Sequence, residues 1–238
     1  MPLEKVVFGR PIVLTTSESG YPFYESPFVY SNYDGIQRTC TTLKDVVFNG
    51  SCNSIPKALC ANSTISTLVL GECIQEICSD SFKKCNSLKQ IIIKNIDTFA
   101  SIKFEDTPQN GRCLYYENGD LIKDLTLNVP MISSQAFSGV DGIESITLDN
   151  DVSSVESNAF SGMQSLKIVK IVGDKIACGS CAFGQNSQLE EIEINHLDSI
   201  GTRMFENCPL IKMISCPNVK SIGEYAFYNC TSLEEVNA

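Results

Sequence analysis

Apolar positions follow a spaced pattern, Ile-x-x-x-x-Phe-x-x-Cys-x-x-Leu-x-x-Ile, that returns about every 22 or 23 residues along most of the chain. Residues 222–236 (IGEYAFYNCTSLEEV), 200–214 (IGTRMFENCPLIKMI), 155–169 (VESNAFSGMQSLKIV), 132–146 (ISSQAFSGVDGIESI) and 77–91 (ICSDSFKKCNSLKQI) share one register without a gap. A fixed period of this length marks a solenoid, in which no unit can bury its own apolar face and stacking supplies the core. The aromatic position holds Phe82, Phe137, Phe160, Phe183, Phe205 and Phe227. The same register reaches Leu59, Tyr116 and, degenerately, Gln37, which predicts about nine units.

Within a unit the apolar spacing changes from three to two. Val46 and Phe48, Leu68 and Leu70, Ile91 and Ile93, Ile146 and Leu148, Val169 and Ile171, and Ile192 and Ile194 alternate with other residues. Period two is a strand with one buried face. Each unit therefore reads as a short strand, a turn and a compact helical or 3₁₀ segment carrying the Phe.

The Leu-x-x-Ile-x-Ile strand box preceded by Ala-Phe-x-x-Cys resembles the BspA-like class of leucine-rich repeats over roughly residues 36–238. The resemblance implies an α/β repeat solenoid wound as a right-handed superhelix. It also implies a surface or secreted adhesin-type protein that binds other proteins, extracellular-matrix or host proteins among them. It names no catalytic residue, cofactor or partner, because function resides in sites grafted on a fold. An intracellular interaction scaffold is the alternative, and a carbohydrate-active enzyme a more distant one.

The repeat divides the chain into a non-repeating segment, residues 1–35, and the solenoid, residues 36–238. The first segment holds Phe8, Tyr21, Phe23, Tyr24, Phe28, Tyr30 and Tyr33 with four prolines, and reads as a cap over the first core layer. The interval from Phe82 to Tyr116 exceeds one period, placing an insertion near residues 94–115; Glu117-Asn-Gly-Asp120 is turn chemistry. That excess is either a protruding hairpin or a spacer that bends the stack. Ala238 falls in mid-unit, so Leu233 and Val236 are expected to face an open edge, which either a continuation of the natural protein or a partner closes, self-association included.

The formal charge of −10 and pI near 4.6 argue against nucleic-acid or anionic-membrane partners, which select basic patches. No apolar run has the length of a membrane span, and Arg10 and Pro11 interrupt the only N-terminal stretch that could resemble an export signal. A cytoplasmic location stays open.

Six of the twelve cysteines fall on core positions: Cys40, Cys85, Cys208 and Cys230 on one, Cys178 and Cys216 on two others. Free cysteine fills such places as a small hydrophobe. A Cys208–Cys230 bridge between neighbouring units is geometrically conceivable. Cys178-Gly-Ser-Cys181 has redox or half-zinc spacing, but the register turns Cys178 inward and Cys181 outward, so no metal and no cofactor are expected. His196 lacks the nucleophile and carboxylate of a triad. Glu190, Glu191 and Glu193, and Asp149-Asn-Asp151, read as solvated acidic faces rather than Ca²⁺ sites. Asn49, Asn62 and Asn229 stand in N-glycosylation patterns, which a chain rich in Ser, Thr and Asn also meets by accident.

The candidate binding surface is the column of outward strand residues, Val47, Val69, Ile92, Thr126, Thr147, Lys170 and Glu193, continuing to Ser215 and Asn237. Its first three members are apolar and β-branched, the type of patch that marks a contact surface; alternatively, the N-terminal segment covers them. An adjoining column, Asp45, Thr67, Gln90, Asp124, Ser145, Ile168, Glu191, Met213 and Glu235, is mixed.

If the recurrent cysteines are core residues, most of the twelve react with a thiol reagent only after denaturation. Intact mass before and after reduction checks this; bridges opened across most of them would overturn the assignment.

Overall fold

The computed structural model describes residues 4–9, 29–31, 37–39, 43–105 and 111–237. Parallel long strands stack into two sheets. The first orders Lys5–Phe8, Asp45–Phe48, Thr67–Leu70, Gln90–Ile93 and Cys113–Tyr116; the second orders Asp124–Leu127, Ser145–Leu148, Ile168–Ile171, Glu191–Ile194, Met213–Ser215 and Glu235–Asn237. Pairing keeps equivalent residues level, as in Val46, Leu68, Ile91 and Leu114, or Leu125, Ile146, Val169, Ile192 and Ile214, all buried. A one-residue slip would move every apolar side chain to the outer face, so the alternation fixes the register. Two-residue strands such as Ser154–Val155 and Ala177–Cys178 form a second ladder. The chain makes about eight turns, not nine units. Gln37 stands in the antiparallel pair Val29–Ser31 with Gln37–Thr39, and the parallel strand Lys5–Phe8 takes the outermost place.

The segment that carries the Phe is not helical. Each regular turn holds two left-handed residues four apart: Ala58 and Asn62, Asp80 and Lys84, Gln135 and Gly139, Asn158 and Gly162, Cys181 and Gln185, Arg203 and Asn207, Tyr225 and Asn229. A helix needs an unbroken right-handed run, and left-handed backbone costs a non-glycine residue roughly 1–2 kcal/mol. What the turn gains is lateral bonding. Gln135, Phe137 and Gly139 send their N–H groups to Ser157, Ala159 and Ser161 of the next turn, at 3.3, 2.8 and 2.8 Å. Asn158, Phe160 and Gly162 repeat this to Ser180, Ala182 and Gly184. Among the described residues the one α-helix is α1, Ile96–Ala100, capped by Asn95 through bonds from Asp97 and Thr98 N–H.

These lateral bonds correct two register assignments. Cys60 N–H donates to Ser81 O as Phe137 N–H does to Ala159 O, so Cys60, not Leu59, takes the aromatic place; that unit is one residue shorter between turn and strand. Tyr116 ends a long strand and is exposed. Its expected place is filled from the insertion, where α1 brings Phe99 between Phe104 (5.6 Å) and Phe137 (5.4 Å). From there Phe137, Phe160, Phe183, Phe205 and Phe227 form a column at 5.2, 5.1, 5.8 and 6.0 Å, nearly parallel. The insertion therefore substitutes for a missing turn. It ends in a tight hairpin at Glu117–Asp120, where Tyr116 N–H bonds Asp120 O, while residues 106–110 lie outside the described ones.

Three residues after the aromatic place, a side chain reaches into the turn before its own. Asn186 accepts from Met163 N–H (2.7 Å) and donates to Phe160 O (3.0 Å). Cys208 accepts from Asn186 N–H and donates its thiol proton to Phe183 O (3.4 Å); Cys230 does the same with Cys208 N–H and Phe205 O (3.1 Å). Cys85 spans Ser63 N–H and Cys60 O (2.8 Å). Where the next turn brings Met163, which has no proton to give, the preceding turn closes on itself through Val140 N–H to Phe137 O. Cysteine at this position is thus a clasp that both donates and accepts, and it must stay protonated. Burial helps: the Cys208 thiol is pushed up to about 12.

Removing a ring from the column leaves a cavity, so Phe160→Ala costs about 3–5 kcal/mol by chemical denaturation. Cys208→Val forfeits two buried hydrogen bonds, worth roughly 1–3 kcal/mol, whereas Cys208→Asn costs less because Asn186 makes the same clasp one turn earlier. The opposite order of unfolding midpoints would show that the position wants only apolar volume.

Candidate protein-binding face

The outward residues of the long strands form columns because equivalent positions pair across each sheet. Val47, Val69 and Ile92 stand level on three adjacent strands, each half-buried. The column is longer than the repeat pattern indicates. Val7 pairs with Val47 at one end and is 53 % exposed, and Tyr115 pairs with Ile92 at the other. Five apolar side chains on five strands make a strip about 19 Å long, four strand spacings. Val7 escaped notice because its segment has no repeat register, and Tyr115 because the insertion shifts the frame. The only sequence signal for either was the alternating Lys5–Phe8 and Cys113–Tyr116.

Thr126 does not follow Ile92; it opens the second sheet, where Thr126, Thr147, Lys170, Glu193 and Ser215 stand level. Between the two sheets Tyr115 turns back to bridge Leu121 in antiparallel sense. The central column is therefore divided, apolar on the first sheet and polar on the second, while the column beside it stays mixed, with Asp45, Thr67 and Gln90 on the first sheet and exposed Met213 on the second. On the polar half Lys170 Nζ lies 3.5 Å from Glu193, and Ser145 donates to Asp124 at 2.6 Å.

Along one corner the charge alternates turn by turn: Lys123, Glu144, Lys167, Glu190, Lys212, Glu234. Glu144 contacts Lys167 at 2.8 Å and Lys123 at 3.8 Å; the Lys167 hydrogen bond holds the Glu144 carboxyl below its usual range. Exposed pairs of this kind contribute little to stability. They leave this corner nearly neutral, so Glu190 does not join Glu191 and Glu193 in a converging carboxylate site.

The remaining candidates form no reaction centre. His196 is exposed, with Nδ1 3.6 Å from Asp174. Cys181, expected outward, is 8 % exposed because its left-handed backbone folds the thiol over Gly184; Cys178 is only partly covered. All eleven described cysteines, Cys208 and Cys230 included, are free thiols. Among the described residues no three His, Cys, Asp or Glu side chains are grouped to hold a metal ion, and no helix is long and apolar enough to cross a membrane. Ile222 and Val236 in the last turn are 48 % and 36 % exposed, where their equivalents Ile200 and Ile214 are buried; Ala238 lies outside the described residues.

Known structures carry the same fold. A leucine-rich repeat protein from Eubacterium ventriosum matches with a TM-score of 0.53 at 16 % identity, over 83 % of this chain and 59 % of that one. One from Bacteroides ovatus matches at 0.50 and 20 %, over 82 % and 54 %. The pneumococcal vaccine antigen PcpA matches at 0.50 and 15 %, over 98 % and 71 %. The chain thus spans little more than half the length of the first two. No curated protein matches it by sequence. The model of the BspA type leucine-rich repeat region matches residues 35–113 and 112–234 with six copies, and the chain belongs to that family.

Proposed function

We propose that the chain is a non-enzymatic protein-binding repeat module of the adhesin type, displayed at a cell surface or secreted, that holds an extracellular-matrix or host protein against its outward strand face. The strip Val7, Val47, Val69, Ile92 and Tyr115 is the observation that carries this reading. A row of β-branched and aromatic side chains on rigid strands supplies apolar contact at small entropic cost, and hot spots concentrate in such clusters. The polar column from Thr126 to Glu193 then acts as rim. Residues 1–35 are read as the cap, of which the strand Lys5–Phe8 pairs at the outer side of the first sheet with Phe8 stacked on Phe48 at 5.1 Å, while residues 10–28 and 32–35 lie outside the described ones. That PcpA, which shares the fold, is a pneumococcal vaccine antigen accords with surface display. One observation favours an intracellular scaffold instead: the free thiols suit a reducing compartment.

The test is binding of the purified chain to a panel of matrix proteins by surface plasmon resonance. Val47→Ser/Val69→Ser/Ile92→Ser should leave the unfolding midpoint within about 0.5 kcal/mol per site and weaken binding at least tenfold. Glu190→Gln/Glu191→Gln/Glu193→Gln should bind as the parent does. Full binding by the serine variant, with loss in the glutamine variant, would move recognition to the acidic end.

A further inference from the structure

We propose that Asn49-Gly50 is a self-modifying site, at which the chain converts Asn49 into an isoaspartyl residue without an enzyme, while the same dipeptide at Asn118-Gly119 is protected by its hydrogen bonds. Asparagine precedes glycine at residues 49, 110 and 118; Asn110 lies outside the described residues. The other two pairs are both exposed and both lie at turns, so access alone does not separate them. Bonding does. Asn118 donates through Nδ2 to Asp120 Oδ2 at 2.7 Å and accepts at Oδ1 from Asp120 N–H at 3.0 Å, and the Gly119 N–H donates to Tyr116 O at 2.9 Å. Among the described residues, the Asn49 side chain and the Gly50 N–H make no hydrogen bond. A bonded amide reacts only when its bonds open, so Asn118 lags.

The reaction is an intramolecular amide exchange. The Gly50 backbone nitrogen gives up its proton and attacks Asn49 Cγ; the N–Cγ bond forms, the Cγ–Nδ2 bond breaks, and Nδ2 leaves as ammonia with the proton. Water, the one co-reactant, then opens the cyclic imide. Addition at the Asn49 main-chain carbonyl carbon routes the chain through Cγ and leaves an isoaspartyl residue with a free α-carboxylate, whereas addition at Cγ leaves aspartate. Either product adds a negative charge. Only the first also puts an extra carbon into the main chain.

The corner has no room for that carbon. A Cβ on Gly50 would stand 2.6 Å from Gly9 O, and one on Gly71 in the next turn would stand 2.7 Å from Phe48 O and 3.0 Å from Asn49 Cα. Three lateral bonds cross the same place: Asn49 N–H to Phe8 O at 2.9 Å, Ser51 N–H to Gly9 O at 3.4 Å and Gly71 N–H to Phe48 O at 2.7 Å. A lengthened chain cannot keep them in register within close packing. Modification therefore loosens the corner that follows Val47 and holds it level with Val7 and Val69.

The test ages the full chain in mildly alkaline buffer, folded and in denaturant side by side. Peptide mapping with electron-transfer fragmentation tells isoaspartate from aspartate, and amide hydrogen exchange reads the corner. In the folded chain Asn49 is expected to convert about tenfold faster than Asn118, a gap that closes in denaturant where neither pair is bonded. The aged chain should exchange faster at Ser51 and Gly71, while Asn49→Asp, which carries the charge without the extra carbon, should exchange like the parent. The proposal is overturned if Asn118 keeps pace with Asn49 in the folded chain, if the gap persists in denaturant, or if folded Asn49 stays intact while the denatured chain converts. Isoaspartate at residue 49 with unchanged exchange, or Asn49→Asp exchanging like the aged chain, would overturn it as well.

Discussion

The fold depends on backbone N–H groups of one turn reaching carbonyl groups of the next on every side of the coil. Strand pairing provides this on two sides as ordinary parallel ladders. On the third side it requires left-handed residues at fixed positions, since only by reversing the backbone twice can Phe137 and its equivalents aim their N–H along the stack rather than along the chain. Buried peptide groups must be paired, and a turn that pairs them with its neighbour cannot also be a helix. Asn and Gly fill many of these places; where Ala58, Lys84 or Tyr225 does, the neighbouring turns hold the strained backbone in position.

The clasp position follows from the same demand. When the aromatic residue's carbonyl is not met by the N–H three residues later, a side chain from the next turn must supply both a donor and an acceptor. Asn and Cys can do both; Val and Met cannot donate, and the Phe137 turn, which meets Met163, closes locally through Val140 N–H, as the turns of Cys60, Phe82 and Phe227 do through Ser63, Cys85 and Cys230 N–H. Cysteine counts in this protein therefore say less about disulfides than about where a thiol reaches a carbonyl of the neighbouring turn, and Cys85 does so at Cys60 O although Ser63 N–H also bonds it at 3.2 Å. They also tie the core to the protonation of its thiols, because a thiolate can accept but not donate.

Periodicity made the strands, the inward alternation and the aromatic column legible, because those depend on residue type and spacing alone. Backbone handedness at Phe−2 and Phe+2 was not legible: residues as unlike as Asn158, Cys181, Arg203 and Tyr225 share one conformation, so no residue type announces it. The same blindness placed Cys181 outward. Around the insertion, counting by period chose Tyr116, whereas packing chose Phe99, since a ring can be delivered to the column by any segment that reaches it. The apolar run Val47, Val69 and Ile92 could be read from spacing, but its two ends could not, since Val7 and Tyr115 enter the sheet from outside the repeat.

The division of the outward face is a consequence of the insertion. A continuous stack would have set Thr126 beside Ile92 and blended apolar into polar across a single strand spacing. Instead Cys113–Tyr116 completes the first sheet, the hairpin at Glu117–Asp120 reverses the chain, and the second sheet begins afresh at Asp124. Tyr115 thereby becomes the boundary, an aromatic side chain at the end of an aliphatic row. Aromatic residues bring large area with few rotatable bonds, which suits the edge of a contact patch where one side is apolar and the other wet. The irregular segment thus does two things at once: it fills the core with Phe99 and gives the strip a defined end.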